Sequence, residues 1–279
     1  FDESLTASVV STDWASTYSP WSDKPPLRTV SPMLKGADAL RTSLVPSLLE
    51  VRRINQSLAN PSVELFETAK IYLPQDEGLP QEQWTLGITT GQGFHHLKGV
   101  IETVLHALKV NGQLKVESTS QDLLHGDYSA SLTLDGEHFG FLGEVNAGGL
   151  KTFSLRSPAS VAEIRMDLLV KHSTLIPQHS QLSNFPATTR DLNIVINETI
   201  RWDALESTVK NAVDRGLLED ITYQETYRDP ERDGANVKRV LFTVKLRRDD
   251  QTMTSEEADA VRGQIVAAIE SELDGKLLG

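Results

Sequence analysis

A chain of 279 residues, 39% hydrophobic and 24% charged, is long enough for two compact domains of ~100–200 residues, each with its own core. Its 27 Lys and Arg stand against 39 Asp and Glu, a formal net charge of −12, which excludes a sequence-blind nucleic-acid coat or a basic membrane-surface protein but leaves room for a small local RNA-binding patch. The absence of cysteine removes disulfide scaffolds, thiolate zinc sites, iron–sulfur clusters and cysteine nucleophiles, and fits a reducing, cytoplasmic setting.

The chain opens on Phe1 rather than Met, as expected of a piece of a longer protein, and its opening residues do not have the basic-then-apolar pattern of a signal peptide. No apolar run approaches the ~18–20 residues of a membrane span. Residues 1–11 read as a strand, with Leu5, Val9 and Val10 among small polar residues, and residues 13–38, rich in Pro, Ser and Trp, read as an extended connection. A helix follows, capped by Ser43, with Leu44, Leu48, Leu49, Arg52 and Ile54 on one stripe and Asn60-Pro61 at its end. Residues 63–72 and 84–90 read as strands, the second stopped by Gly91 and Gly93. Leu97, Val100, Ile101, Val104, Leu105 and Leu108 then repeat at helical spacing across 95–110. Strands are expected at 130–134, 138–145 and 161–170, the first two joined by the two-residue hairpin signal Asp135-Gly136. This is the α+β pattern of a mostly antiparallel sheet with a few helices.

Residues 172–185 are polar and loop-like, placing a domain boundary after residue 183. The remainder, 184–279, reads strand (192–196), helix (202–213), strand (221–227), charged turn (229–234), strand (239–247), helix from a Thr254/Glu257 capping box, and a short strand at 276–278. That order is the split βαβ, ferredoxin-like arrangement.

The first module carries no self-contained catalytic set. No Gly-x-x-x-x-Gly-Lys loop or Gly-x-Ser-x-Gly elbow occurs, and Gly91-Gln92-Gly93 lacks the third glycine of a dinucleotide loop, since His96 stands there. His95 and His96 are adjacent on a helix and point ~100° apart, which does not suit one metal ion, and His96 has Val100 rather than a ligand four residues on. Glu64 and Glu67, three apart on a strand, face opposite sides.

The second module has more to offer. Helices cover one face of a ferredoxin-like sheet, so the alternate residues are left open. On 239–247 the buried set is Val240, Phe242, Val244 and Leu246, and the open set is Arg239, Leu241, Thr243, Lys245 and Arg247. On 192–196, Asn193 and Val195 are open, and on 221–227 Tyr223, Glu225 and Tyr227 share a face with Ile221, assigned here as the open one. Tyrosine rings stack unpaired bases, cations meet phosphates, and Asn or Glu reads base edges. An ordinary solvated sheet face with cross-strand charge pairs would show the same residue types.

Longer strings of residues carry more weight. Phe185-Pro186-Ala187-Thr188-Thr189-Arg190-Asp191-Leu192 resembles the Phe-Pro-x-x-x-Arg-Asp-Leu opening of the anticodon-binding, ferredoxin-fold domain that ends the β subunit of bacterial phenylalanyl-tRNA synthetase. Tyr227-Arg228, Lys238 and Thr252-Met253-Thr254-Ser255-Glu256-Glu257 continue the likeness in order. Upstream, Leu40-Arg41-Thr42-Ser43-Leu44-Val45-Pro46-Ser47-Leu48-Leu49 is similar to the family's Leu-Arg-Thr-Ser-Leu-Leu-Pro-Gly-Leu-Leu, and Leu65-Phe66-Glu67, Leu97-Lys98-Gly99 and Leu142-Gly143-Glu144 fall in family order. The resemblance covers essentially the whole chain.

It implies that residues 1–183 form a class II synthetase catalytic-like module that does no adenylation, packing on an α subunit that uses ATP and Mg2+ in an α₂β₂ assembly. No catalytic, cofactor or metal-binding residue is then expected in this chain. It implies that residues 184–279 hold the anticodon of phenylalanine tRNA, with Tyr227 stacking on a base, Glu225 and Asn193 beside it, Lys238 and Arg239 alongside, and Tyr223 and Arg190 completing the set. The sequence departs from the family where Arg239 replaces a common Ser, Asn193 a small residue, and Gln224-Glu225-Thr226-Tyr227 a Phe-Asp-x-Tyr segment. Gly93-Phe94-His95-His96 also stands where the family has a Phe-Phe-Asp-like segment. Apart from the resemblance, a ferredoxin-like module also fits a small-molecule sensor or a pure subunit scaffold.

Overall fold

The computed structural model describes residues 1–32, 35–58, 60, 62–176, 183–214 and 216–278. The chain divides into two compact units, residues 1–177 and 178–279. Residues 177–182, in the expected loop just before the boundary read from the sequence, lie outside the described residues, as do Ala59 and Pro61 at the expected end of the first long helix.

The first unit runs β1 (Asp2–Glu3), β2 (Val9–Val10), α1 (Thr12–Thr17), β3 (Ala39–Leu40), α2 (Val45–Ser57), β4 (Leu65–Leu73), β5 (Gln81–Thr90), α3 (Phe94–Ala107), β6 (Leu114–Ser118), β7 (Leu124–Leu134), β8 (Glu137–Val145), α4 (Ala147–Thr152), β9 (Ser160–Arg165) and α5 (Met166–His172). Seven strands form one sheet in the order β1-β4-β5-β9-β8-β7-β6. Every pairing in it is antiparallel except β1 on β4.

Both faces of this sheet are covered. On one side Leu97, Ile101 and Leu105 of α3 and Leu168 and Leu169 of α5 pack on Leu86, Ile88, Leu132 and Ile164. On the other, Val45 and Leu49 of α2 meet Phe141 and Val161, joined by Tyr18 from the N-terminal segment, while Leu44 and Leu48 meet Leu65, Ile71 and Leu73. Glu163 of β9 is fully buried under the start of α2. Its carboxylate accepts from Trp21 Nε1, Ser43 Oγ (2.8 Å), the Leu44 amide and the Val45 amide (3.0 Å). It therefore satisfies amides at a helix start that has no side-chain cap of its own. Burial pushes its pKa up, making it a weaker acid than a free glutamate, and hydrogen bonds from the same four donors act against that rise. A second buried pair, Arg41 with Glu67 at 3.0 Å, is completed by Thr6, whose amide and hydroxyl both donate to Glu67.

Several expectations are corrected. The region read as one strand, residues 1–11, supplies only the two-residue strands β1 and β2. The connection at 13–38 begins with a helix, because Ser11 accepts from the Trp14 amide and caps α1. Ser43, expected as the cap of α2, stands one residue before its N-cap Leu44, and its hydroxyl accepts from the Val45 amide at 3.1 Å. The strand expected at 161–170 ends at Arg165. Leu168 and Leu169 are both buried and Val170 is two-thirds exposed, a helical rather than an alternating pattern, and β5 pairs with β9 only as far as Thr85 opposite Arg165. The edge strand β6 and the first half of β7, exposed over residues 125–128, lacked a legible apolar alternation. The Asp135-Gly136 hairpin holds: both residues have positive φ, +48° and +82°, as a type I′ turn demands.

The second unit runs β10 (Thr188–Asn197), α6 (Trp202–Ala212), β11 (Leu218–Tyr227), α7 (Pro230–Asp233), β12 (Val237–Leu246), α8 (Ser255–Leu273) and β13 (Lys276–Leu277). The sheet order β11-β12-β10-β13, with every neighbour antiparallel, is the ferredoxin-like topology. Leu205 and Val209 of α6 and Ala258, Val261, Ile265 and Ile269 of α8 pack on Leu192, Ile194, Ile196, Val240, Phe242, Val244 and Leu246. The capping box opens α8 as read from the sequence, with Thr254 accepting from the Glu257 amide and Glu257 from the Thr254 amide. The two long helices thus share one face, and the short α7 meets the other through Asp233, which pairs with Arg239 of β12.

Candidate nucleic-acid interface

Which residues occupy that other face follows from strand register. Leu192, Ile194 and Ile196 of β10 pair with Phe242, Val240 and Lys238 and point to the helices, so Asp191, Asn193 and Val195 point away, opposite Thr243, Leu241 and Arg239. β11 is less regular. Ile221 and Tyr223 pair with Val244 and Phe242, on the helix side. Between Tyr223 and Glu225 the register slips, Gln224 is the extra residue, and the next partners are Leu241 for Glu225 and Arg239 for Tyr227. A bulge with two residues against one turns the strand over. Tyr223 and Tyr227 therefore lie on opposite faces.

This overturns the grouping of Tyr223 with Tyr227. Tyr223 packs edge-on to Trp202 of α6, 5.3 Å between ring centres, and its hydroxyl donates to Thr226 at 2.9 Å. Tyr227 stays on the open face and is 51% exposed. Arg190 pairs with Val244 on the helix side, where its Nε donates to Asp259 of α8 at 2.7 Å and its guanidinium also meets the Ser255 carbonyl at 3.2 Å. That arginine ties β10 to α8. Lys238 also points to the helix side, opposite Ile196, and donates to the Glu198 carbonyl at 2.9 Å.

Arg239 lies on the open face but is not a loose cation. Its Nε and a terminal nitrogen donate to the two oxygens of Asp233 at 2.5 and 2.7 Å, and Arg239 is only 9% exposed. Those bonds hold the Asp233 carboxyl below the usual range and the guanidinium above its own. The guanidinium sits 5.5 Å from the centre of the Tyr227 ring. Further along, Glu219 accepts from Arg247 at 2.5 Å and pairs with Lys245 at 2.8 Å, and the two hydrogen bonds bring it down to about 2. Thr243 donates to Asp191 at 2.6 Å.

The open face thus has two ends. At one lie the exposed Tyr227, the neutralised Arg239 and, on β13, the exposed Lys276 opposite Val195. Next to them, in one row across the sheet, stand Glu225, Leu241 and Asn193, whose buried Oδ1 has no hydrogen-bond partner. At the other end the charges are already paired. An exposed tyrosine in the row next to the exposed Glu225 carboxylate suits a single unpaired base, stacked on the ring and read along its edge. The sequence missed Asp233 and Glu219 as partners, because an ion pair formed across a turn or between strands leaves no local spacing signal. Among the described residues no three His, Asp or Glu side chains converge to hold a metal ion, and no helix is long and apolar enough to cross a membrane.

Comparison with known families agrees with this division. The family model described as "Phenylalanyl tRNA synthetase beta chain CLM domain" matches residues 1–166. The chain belongs to the phenylalanyl-tRNA synthetase β-chain family. A second model, "Ferredoxin-fold anticodon binding domain", matches residues 183–278, the unit with the open sheet face. Phenylalanine–tRNA ligase β subunits from Rhodopirellula baltica and Bacillus cereus are 39% and 28% identical over 99% of the chain. One from Syntrophotalea carbinolica is 29% identical over 90% of it. The chain spans 42%, 36% and 33% of these three relatives' lengths. As a β-chain family member, the protein combines an antiparallel-sheet synthetase-type module with a ferredoxin-fold anticodon-binding domain.

Proposed function

We propose that this chain is the part of a phenylalanyl-tRNA synthetase β subunit that packs on the α subunit through residues 1–183 and holds the anticodon of phenylalanine tRNA on residues 184–279. In this reading the whole enzyme is a cytoplasmic α₂β₂ ligase that joins phenylalanine to its tRNA, with ATP and Mg2+ used in the α subunit. The anticodon site comprises Tyr227, Glu225 and Asn193 on the open face. Arg239 backs it, and Tyr223, Arg190 and Lys238 support it from the helix side. The observation that carries the reading is the exposed Tyr227 on the open face of a unit matched by an anticodon-binding family. It is supported by the first unit, whose sheet is filled on both faces, leaving neither free as a floor for a nucleotide.

The test is a titration of the chain with phenylalanine tRNA and with the same tRNA carrying a swapped anticodon. The swap is expected to weaken binding about tenfold, the size of one lost contact of ~1.4 kcal/mol. Equal affinities overturn the anticodon assignment. Capture of the α subunit by the chain tests the other half separately. The chain alone is expected to form no phenylalanyl adenylate from ATP and phenylalanine.

A further inference from the structure

The anticodon reading makes Tyr227 a stacking platform, and a platform works only if its ring is held in place before the base arrives. An exposed tyrosine on an edge strand, just past a bulge, would ordinarily be free to turn about its side-chain bonds. Here its cross-strand partner is Arg239, whose guanidinium lies 5.5 Å from the ring centre. The guanidinium is in turn gripped by both oxygens of Asp233, at 2.5 and 2.7 Å. Asp233 ends the four-residue helix α7, which is set by Asp229 accepting from the Arg232 amide and closed by Gly234 at φ +105°. Only glycine adopts that angle readily, so the turn presents Asp233 from a defined position. The side chains of Arg239 and Asp233 are 10% and 8% exposed, so the pair is withdrawn from solvent.

Two roles are open to such an arginine, and the geometry separates them. A cation that meets RNA phosphate needs a free donor fork and an unspent charge. Arg239 has given two of its N–H groups and its charge to Asp233. What remains is a flat, immobile cation against an aromatic ring, a contact that orients the ring and draws on its π density. We propose that Arg239, locked by Asp233, is a positioning residue that fixes the Tyr227 ring for stacking on an unpaired base and does not itself bind the RNA backbone. The proposal rests on the anticodon reading above and adds to it the device that pre-organises the site.

The experiment measures the dissociation constant of the full 279-residue chain for phenylalanine tRNA across a series of KCl concentrations. The proteins compared are the wild type, Arg239→Ser, Arg239→Lys, Asp233→Asn, Tyr227→Ala and the Arg239→Ser/Tyr227→Ala double variant. Arg239→Ser is expected to weaken binding about 3- to 10-fold, the scale of a cation–π contact that orders one ring, with the slope of log Kd against log salt unchanged. In the Tyr227→Ala background the same substitution should change nothing further, since its target is gone. Asp233→Asn should reproduce much of the Arg239→Ser loss. Arg239→Lys, which keeps the charge without the two-pronged bond, should rescue less than half of it. A salt slope reduced by about one in Arg239→Ser identifies a phosphate contact and overturns the proposal. So does an Arg239→Ser loss that is equally large with and without Tyr227. Should a variant fold poorly, Asp233→Asn and Arg239→Lys still test the coupling to Tyr227. A wild-type chain that binds the native and anticodon-swapped tRNAs equally overturns the functional reading instead, a result these variants do not mimic.

Discussion

The two sheets of this protein are built from similar materials and finished differently. In the first unit, helices and the N-terminal segment fill both faces, down to a carboxylate buried at the start of α2. In the second, α6 and α8 fill one face and the other presents Tyr227, Glu225 and Asn193. A sheet covered on both sides spends its surface on its own cohesion and binds through its outside. A sheet covered on one side keeps a flat, pre-formed surface whose alternate residues are free to meet a ligand. The lesson is that the proposed binding site rests on the face left bare rather than on any cluster of reactive groups.

The comparison breaks first at Glu163, where the largest effect is expected. Glu163→Ala strands the Trp21 indole, the Ser43 hydroxyl and two amides of the α2 start in a dry interior. Urea unfolding should show the first unit weakened by about 3–5 kcal/mol. A loss below ~1 kcal/mol would mean that the α2 side of the sheet is not the sealed face described here. Gly140 tests the same sheet from within, since a Cβ there would stand 2.0 Å from the Glu163 carbonyl oxygen. Gly140→Ala should lower the thermal midpoint of the first unit and leave the second unchanged.

The open face is probed by Tyr227→Ala, which should weaken binding of phenylalanine tRNA by about 1–3 kcal/mol, the range for one base stacked on an aromatic ring. Tyr223→Ala is the matched control. Because the bulge puts Tyr223 against Trp202 on the helix side, its loss should lower the stability of the second unit while affecting tRNA affinity far less. Equal effects of the two substitutions on affinity would place both rings on one face and remove the bulge argument. Smaller again is Thr254→Ala, which deletes one half of the capping box of α8 and should lower stability by about 1 kcal/mol in urea titration.

The smallest effect is a pH dependence. Glu219 is held near 2 by hydrogen bonds from Arg247 and Lys245, below the ~4.3 of a free glutamate. A carboxylate depressed in this way contributes stability that is present above the unfolded value and is lost as pH falls toward 2. The difference in stability between wild type and Glu219→Gln should therefore be constant above about pH 5 and shrink between there and pH 2. It should also shrink in high salt, since these side chains are partly exposed. A difference that grows on acidification would contradict the pairing.

Much of the architecture was legible beforehand. The alternation on β10 and β12 named the buried and open residues of the two central strands, because those strands have one apolar and one polar face and a period of two leaves no ambiguity. The Asp135-Gly136 turn and the Thr254/Glu257 box were legible because each depends on a few adjacent residues. β11 resisted the same treatment. It is an edge strand with exposed residues on both sides, so nothing in its pattern marked where Gln224 would bulge.

By itself, then, the sequence determined two α+β modules, a ferredoxin-like order in the second and the family to which the whole belongs, since these rest on local periodicity, capping chemistry and strings of residues in order. Only the tertiary structure decided which tyrosine lies on the face away from the long helices and whether Arg239 is free. The first depends on a single extra residue in one strand relative to its neighbour, and the second on a carboxylate six positions away brought back by a turn. Register and long-range ion pairing are properties of two segments together, and neither segment carries them alone.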